Sequence, residues 1–389
     1  MKDASVVLLL SSTCLKLQLK DHMTCRILIV EDDEGMVQSL TAALCRELGE
    51  PQIFVINNFK DAQSQIAEKM PDVVVFDIFD DQIEEHPEYA VKPAWLFVWN
   101  EFFCPVVFHT GHEVSEYRDL VHPFVRYEIK GPGSHGRVAT HIKEFEPKID
   151  SLRTIRKELS WRAGETLRHV SPLIWRSGQP LTDQADIFLR VVRRRMAAAL
   201  DHTAEDQRPT QAWEQYIYPP IGDSLLTGDI IRSTSGDENK PESYHLVLSP
   251  SCDLVRERPT LKQVLVADCV PIRRFVDKTN IGLQDLVKRL PSELTKDQVA
   301  GFTVLPTFPG VLPLMAANLK QLSLLPYDDI ATKNGETKHF TRIASLDSPF
   351  RERLAWAYLQ VAGRPGVPDV DVETLAVAID QAIKANTKA

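Results

Sequence analysis

Ile27 to Asp33 reads ILIVEDD, four aliphatic residues followed at once by three carboxylates. An apolar run this short and unbroken is the pattern of a strand buried on both faces, as in parallel sheets covered by helices on either side. Ligands of such sheets bind outside the carboxyl ends of the strands, which is where Glu31 and Asp32 fall.

Outward from that run the same texture recurs. A helical stretch carries Met36, Leu40, Ala43, Leu44 and Leu48 at three- and four-residue spacing and stops at Gly49, before Pro51. A strand at Ile53 to Ile56, a helix from Phe59 to Met70 and a strand at Val73 to Phe76 follow. Trp95 to Trp99 mark a third helix, Pro105 to Phe108 open a fourth strand, and Val125 to Ile129 make a fifth after a helical segment from Glu113 to Leu120. Val138, Ile142 and Phe145 mark a closing helix. This rhythm predicts an α/β fold, a doubly wound five-stranded parallel sheet of the flavodoxin-like kind, over residues 23–146.

Polar residues fall at the ends of these strands: Glu31 and Asp32 after the first, Asp77 after the third, Thr110 after the fourth and Lys130 after the fifth. The topology brings them to one edge. An aspartate that attacks a phosphoryl group brings two anions together, so a hard divalent cation on oxygen ligands has to offset the repulsion. A lysine and a threonine hydroxyl can stabilise charge on the transferring oxygens.

ILIVEDD, VVVFD (Val73 to Asp77), PVVFHTG (Pro105 to Gly111) and YEIK (Tyr127 to Lys130) together resemble the receiver family of response regulators over about a third of the chain. The resemblance implies that Asp77 is the phosphoacceptor and that Asp32, Asp77 and the backbone carbonyl of Phe79 hold Mg²⁺, with Glu31 contributing indirectly. It further implies that Thr110 and Lys130 bind phosphoryl oxygens, that Tyr127 is the aromatic switch residue and that a histidine kinase is the partner. The sequence departs from the family in the long acidic loop after Asp77, with Asp80, Asp81, Glu84 and Glu85, and in Gly131 directly after Lys130.

Residues 1–22 fit no domain pattern and are read as a tail, with Met23 a candidate native start. Pro147 suits the end of one helix and the first turn of another. Beyond it, Ile149, Leu152, Ile155 and Leu159 form an apolar stripe that either packs on its own domain or serves a homodimer or a signal-transmitting linker. Residues 147–212 read as a helical, basic linker ending in Arg193, Arg194 and Arg195, a solvated face or a surface for an acidic partner or nucleic acid.

From 213 to 389 the pattern becomes short strands broken by turns, at Asp229 to Ile231, Tyr244 to Leu248, Leu261 to Val266 and Leu319 to Leu325. A β-rich small-barrel output domain is predicted, with a helix from Arg351 to Val361 whose N-cap and first position suit Ser348 and Pro349. TGDII (Thr227 to Ile231) and YHLVLSPSCDL (Tyr244 to Leu254) resemble the opening of PemK/MazF-like barrels, which implies RNA cleavage without metal. Cys252, Asp253 and His245 are the candidate residues there. The rival reading is a structural turn, because an adjacent carboxylate raises a thiol's pKa and works against a nucleophile. Arg342 to Arg353 reads as a helix start with surface arginines.

The whole chain has 389 residues, 43% hydrophobic and 25% charged, with a net charge of −9. That size suits two or three domains, and the acidic balance argues against a chain whose main task is wrapping nucleic acid. Its six cysteines form no CxxC pair or zinc spacing. With no apolar run approaching the roughly 18 residues that span a bilayer, a cytoplasmic location without membrane contact is expected. The reading is therefore a phosphorylated signalling protein controlling an interaction module. The alternatives are a receiver-regulated RNA-cleaving effector and an unphosphorylated scaffold in a bacterial conflict system.

Overall fold

The structure is a computed structural model and describes residues 24–79, 91–175, 181–201, 209–255, 261–333, 335–363 and 371–386. The tail with Met23 and the acidic residues Asp80, Asp81, Glu84 and Glu85 lie outside the described residues. The chain divides into two compact units, Met1–Glu205 and Asp206–Ala389.

In the first unit the strands are β1 (Arg26–Val30), β2 (Gln52–Ile56), β3 (Val73–Phe76), β4 (Val106–Thr110) and β5 (Val125–Ile129). They pair in parallel in the order β2-β1-β3-β4-β5, which is the flavodoxin-like order. The helices are α1 (Glu34–Leu48), α2 (Ala62–Lys69), α3 (Lys92–Phe97), α4 (Ser115–Arg118), α5 (Ser134–Trp175) and α6 (Leu181–Asp201). Strand residues alternate between two apolar layers. Leu28, Val74, Phe76 and Phe108 face one, with Trp95 and Tyr117; Ile27, Ile29, Val73 and Val107 face the other, with Leu40 of α1 and Val138 and Phe145 of α5. Two buried layers explain why these strands read as unbroken apolar runs.

The sequence suggested a helix break at Pro147, but α5 continues through it for 42 residues. A proline in a helix interior costs about 3 kcal/mol or more, and contacts on both sides of it offset that cost. Ile149 is buried in the same layer as Val138 and Phe145. Arg153 donates to the buried Asp72 through Nε at 2.8 Å and Nη2 at 2.5 Å, while Asp72 also accepts the Arg26 N–H at 2.8 Å. Arg156 donates to the carbonyls of Phe102 and Phe103 and lies over the Phe102 ring. The stripe is therefore split: Ile149 belongs to the domain core, Leu152 is half-buried, and only Ile155 and Leu159 are exposed. Higher up, α5 packs on α6, burying Thr166, Val170, Ile174 and Gln184. Arg193, Arg194 and Arg195 are exposed.

The second unit contains β6 (Tyr216–Ile217), β7 (Asp229–Ser233), β8 (Tyr244–Val247), β9 (Gln263–Pro271), α7 (Ile272–Val276), α8 (Leu286–Leu294), β10 (Phe302–Leu305), β11 (Met315–Pro326), β12 (Ile330–Ala331), β13 (Phe340–Leu346), α9 (Phe350–Ala362) and α10 (Val372–Asn386). The strands form one chiefly antiparallel sheet, β10-β11-β9-β8-β7-β13-β12, with β6 added to β13. Among the described residues no pairing joins the ends of this path. The sheet is open, and the PemK/MazF-like barrel has no support. One face packs under Leu354 and Ala357 of α9, and the opposite face holds Ile231, Val247, Val264, Val266 and Ile330. Helix α9 starts at Phe350, one residue before Arg351, with Pro349 and not Ser348 at its cap, and the Ser348 N–H donates to Asp347 Oδ1.

Arg342 corrects the expectation of surface arginines. It lies on β13, 9% exposed, with its guanidinium donating to the carbonyls of Ser224, Ile221 and Gly222 and facing Asp229 Oδ2 at 3.5 Å. Asp229 is fully buried and also accepts from Ser345 Oγ at 2.5 Å and the Leu226 N–H at 2.8 Å. Burial raises its pKa, opposed by these donors. The aspartate of TGDII is thus a structural anchor.

Candidate functional site

The carboxyl ends of β1, β3, β4 and β5 meet along one edge of the first sheet. Parallel pairing of Val30 with Phe76 sets Glu31 and Asp77 side by side, and the Asp77 N–H donates to the Val30 carbonyl at 2.8 Å. Glu31, Asp32 and Asp77 can place one carboxylate oxygen each within 4.8 Å of the others. Asp33 takes a different job. Its carboxylate accepts the N–H groups of Gly35 and Met36 at 2.7 and 3.0 Å and caps α1.

Lys130 closes the cluster. Its Nζ lies 2.6 Å from Asp77 Oδ2 and 2.7 Å from Glu31 Oε2, and the other Asp77 oxygen accepts the Ile78 N–H at 2.6 Å. Burial pushes Glu31 up to about 7; the Lys130 hydrogen bond opposes the rise and the Asp77 charge adds to it. Burial alone would lower Lys130, but the charges and hydrogen bonds of Asp77 and Glu31 outweigh it and hold the ammonium above its ordinary value.

Thr110 is fully buried at the end of β4, its carbonyl accepting the Lys130 N–H at 2.8 Å and its hydroxyl facing the His112 N–H at 3.5 Å. Tyr127 reaches the loop after β4, donating to the His112 carbonyl at 2.5 Å and accepting the Val114 N–H at 2.9 Å. Phe79 stands edge-on to the His112 ring with centroids 4.9 Å apart. A cleft of about 440 Å³ opens over Asp77, Phe79, His112, Lys130, Ser134 and His135.

His109, Ser134 and His135 went unread in the sequence. His109, 1% exposed on β4, has Nε2 3.0 Å from Ser134 Oγ, and Ser134 Oγ accepts the Gly131 N–H at 3.3 Å. The His135 ring stands 5.4 Å from that of His109. A signal was present: an imidazole inside the buried run VVFHT requires a polar partner.

In the second unit Cys252 and Asp253 are exposed on a turn, with Sγ 3.5 Å from Oδ1. His245 is not brought to them. It pairs through Nδ1 with Asp268 Oδ1 at 3.0 Å, and Ser323 Oγ donates to the same oxygen at 2.9 Å. The turn is fastened through its serines: the Thr227 N–H donates to Ser251 Oγ at 3.0 Å, Thr227 Oγ1 to the Ser249 carbonyl at 2.7 Å, and the Leu265 N–H to Ser249 Oγ at 2.8 Å.

No family model matches the chain. No curated protein matches it either. Solved structures similar to its N-terminal third include a two component transcriptional regulator AraC from Clostridium phytofermentans, at 20% identity over 34% of this chain and 98% of that one, with a TM-score of 0.26. The PhyR response regulator REC domain of Erythrobacter litoralis is 23% identical over 31% of this chain and 88% of that one, with a TM-score of 0.24. A response regulator receiver protein from Sinorhizobium medicae is 17% identical over 31% and 94%, with a TM-score of 0.26. At such scores the fold rests on the strand order of the sheet itself. No helix among the described residues is long and apolar enough to cross a membrane.

Proposed function

We propose that this chain is a cytoplasmic response-regulator-like signalling protein that accepts a phosphoryl group on Asp77 from a partner histidine kinase and acts through its second unit as a protein-binding output module. The observation that carries the reading is Lys130 Nζ held between Asp77 and Glu31 at the ligand-binding edge of a doubly wound sheet.

The donor set fits a hard divalent cation, because three carboxylates converge where one ammonium supplies the nearby positive charge. Asp32, Asp77 and the Phe79 carbonyl would hold Mg²⁺, with Glu31 acting indirectly. When bound, the ion offsets repulsion between the attacking carboxylate and the phosphoryl oxygens. The remaining work falls to this chain. The Ile78 N–H and Lys130 fix both oxygens of Asp77 before transfer, which removes orientational freedom from the reaction. A carboxylate oxygen of Asp77 bonds to phosphorus as the bond to the donor atom breaks, and the donor atom keeps the electron pair. Lys130 and Thr110 then serve the new phosphoryl oxygens, and Tyr127, bonded to the loop after Thr110, is placed to respond.

Calorimetry with Mg²⁺ and fluoroberyllate tests this. Wild type is expected to bind and Asp77→Asn to lose binding, while equal heats for the two proteins would remove Asp77 from the site and favour an unphosphorylated scaffold. For self-association, α5 offers Ile155 and Leu159, and sedimentation of Ile155→Glu, Leu159→Glu beside wild type decides whether they carry a dimer. His245 bonds to Asp268 and Cys252 to Asp253, so these contacts give the thiol no imidazole base.

A further inference from the structure

Behind the cleft lie buried polar groups, His109 and Ser134, that take no part in the phosphoryl transfer proposed above. The loop from Lys130 to α5 is Lys-Gly-Pro-Gly-Ser, with Gly133 at a φ of +76°. Two glycines make such a loop adaptable, so something has to fix it if the Lys130 ammonium is to stand within hydrogen-bond reach of Asp77. The Lys130 N–H is tied to the Thr110 carbonyl and the Ser134 N–H to the Gly131 carbonyl, and the Ser134 hydroxyl adds a side-chain fixing point, since its oxygen accepts the Gly131 N–H. The same hydroxyl lies 3.0 Å from His109 Nε2, and the tautomer of the imidazole sets which of the two donates. The chain then links the Gly131 N–H, Ser134 Oγ and His109 Nε2.

Its geometry is that of a built support. Ser134 and His109 are each 1% exposed, and His109 is rooted in β4 beside its last residue, Thr110, and opposite Glu128 of β5. Lys130, His135, Asp77 and Glu128 are the charged or titratable groups facing it. Burial first, then the Lys130 and His135 charges, push His109 down to about 4, so it stays neutral and able to accept. His109 Nδ1 and His135 Nε2 are both buried without a protein partner, and their rings adjoin.

We propose that His109 is a positioning residue for phosphoryl acceptance, holding Lys130 in place through Ser134 and Gly131 without touching the reacting atoms. The proposal rests on Asp77 being the acceptor, and it predicts a division of labour. The Asp32 and Asp77 carboxylates do not depend on the chain, so metal affinity should survive its loss while capture of the phosphoryl mimic weakens.

The test compares wild type with His109→Leu, His109→Gln, Ser134→Ala and the His109→Leu, Ser134→Ala double variant. His109→Leu and Ser134→Ala should each weaken fluoroberyllate binding about tenfold, the factor of one lost buried hydrogen bond. Affinity for Mg²⁺ alone should stay within twofold of wild type. The glutamine amide can present either an acceptor oxygen or an N–H donor near the place of Nε2, so His109→Gln should recover most of the loss. The double variant should be no worse than either single one, because both cut the same chain.

Amide hydrogen exchange at Gly131 reads the chain without phosphoryl chemistry, and it should speed up in the leucine and alanine variants but not in glutamine. Unchanged Gly131 exchange, or equal fluoroberyllate affinity in all variants, overturns the positioning role. Absence of fluoroberyllate binding in wild type overturns Asp77 as acceptor, and Gly131 exchange then still decides whether His109 holds the loop. Parallel losses of Mg²⁺ affinity and thermal stability in every variant, glutamine included, would mean that His109 only fills the core.

Discussion

At the level of single residues, burial separates the polar groups that matter to stability from those that do not. His109 should make the first unit acid-sensitive. Its folded pKa, near 4, lies below the ordinary 6.5 of an exposed imidazole. Between those values the unfolded chain binds more protons, so stability rises with pH across the window. The contribution is complete above about 6.5 and is lost as pH falls toward 4, amounting to about 3 kcal/mol. Denaturant midpoints for wild type and His109→Gln should therefore converge or cross on acidification, and parallel curves would show that His109 does not carry the effect. In the second unit, Arg342→Met strands the buried Asp229 and should cost about 3 to 5 kcal/mol. Cys252→Ser, on an exposed turn, should stay within about 0.5 kcal/mol. The four positions Glu31, Asp32, Asp77 and Lys130 that meet at the sheet edge were legible because strand ends order them along the chain. His109, Arg342 and Asp229 were not, because a histidine before a threonine or an arginine in a strand shows its partner only once strands pair.

Among the elements, the strands of the first unit were legible because burial on both faces leaves an unbroken apolar signature. The second sheet was harder. Its strands alternate faces, and β10 and β13 went unread because FTVL and FTRIASL mix apolar and polar residues in the way a loop also does. Pro147 misled for a local reason: the missing N–H predicts a break, and the contacts that override it come from Asp72, Phe102 and Phe103, distant in sequence. Arg153 is accordingly expected to hold α5 against the domain. Arg153→Met leaves Asp72 buried without its cation and should lower stability by about 3 kcal/mol. Limited proteolysis should then open α5 beyond residue 149 first. A variant as protease-resistant as wild type would place the holding force in Ile149 alone.

Across the whole molecule, each unit has its own apolar layers, Ile27 to Ile149 in the first and Tyr216 to Ala357 in the second. Two independent cores should melt as two cooperative transitions. In calorimetry of the full chain, Arg153→Met should shift one transition and Arg342→Met the other, with the double variant showing both shifts unchanged. A single transition moved by either substitution would mean that the units fold as one. The functional identity of the second unit stayed hidden from the sequence for a physical reason: an antiparallel sheet under a helix serves many purposes, and its exposed side chains form no chemical pattern that names one.

The unbroken run of α5 also sets what kind of motion can pass along it. Its 42 residues make a rod about 63 Å long, of which only the first half is fastened to the sheet. A rod conveys turning about its axis, and each residue added to it advances everything downstream by about 100°. Two residues inserted between Lys157 and Glu165 would swing α6 round by about 200°, whereas seven would return it to within about 20° of its original bearing. The angle at which α6 is presented is thus written into α5 by counting, and any partner that reads α6 should accept the seven-residue insertion and refuse the shorter one.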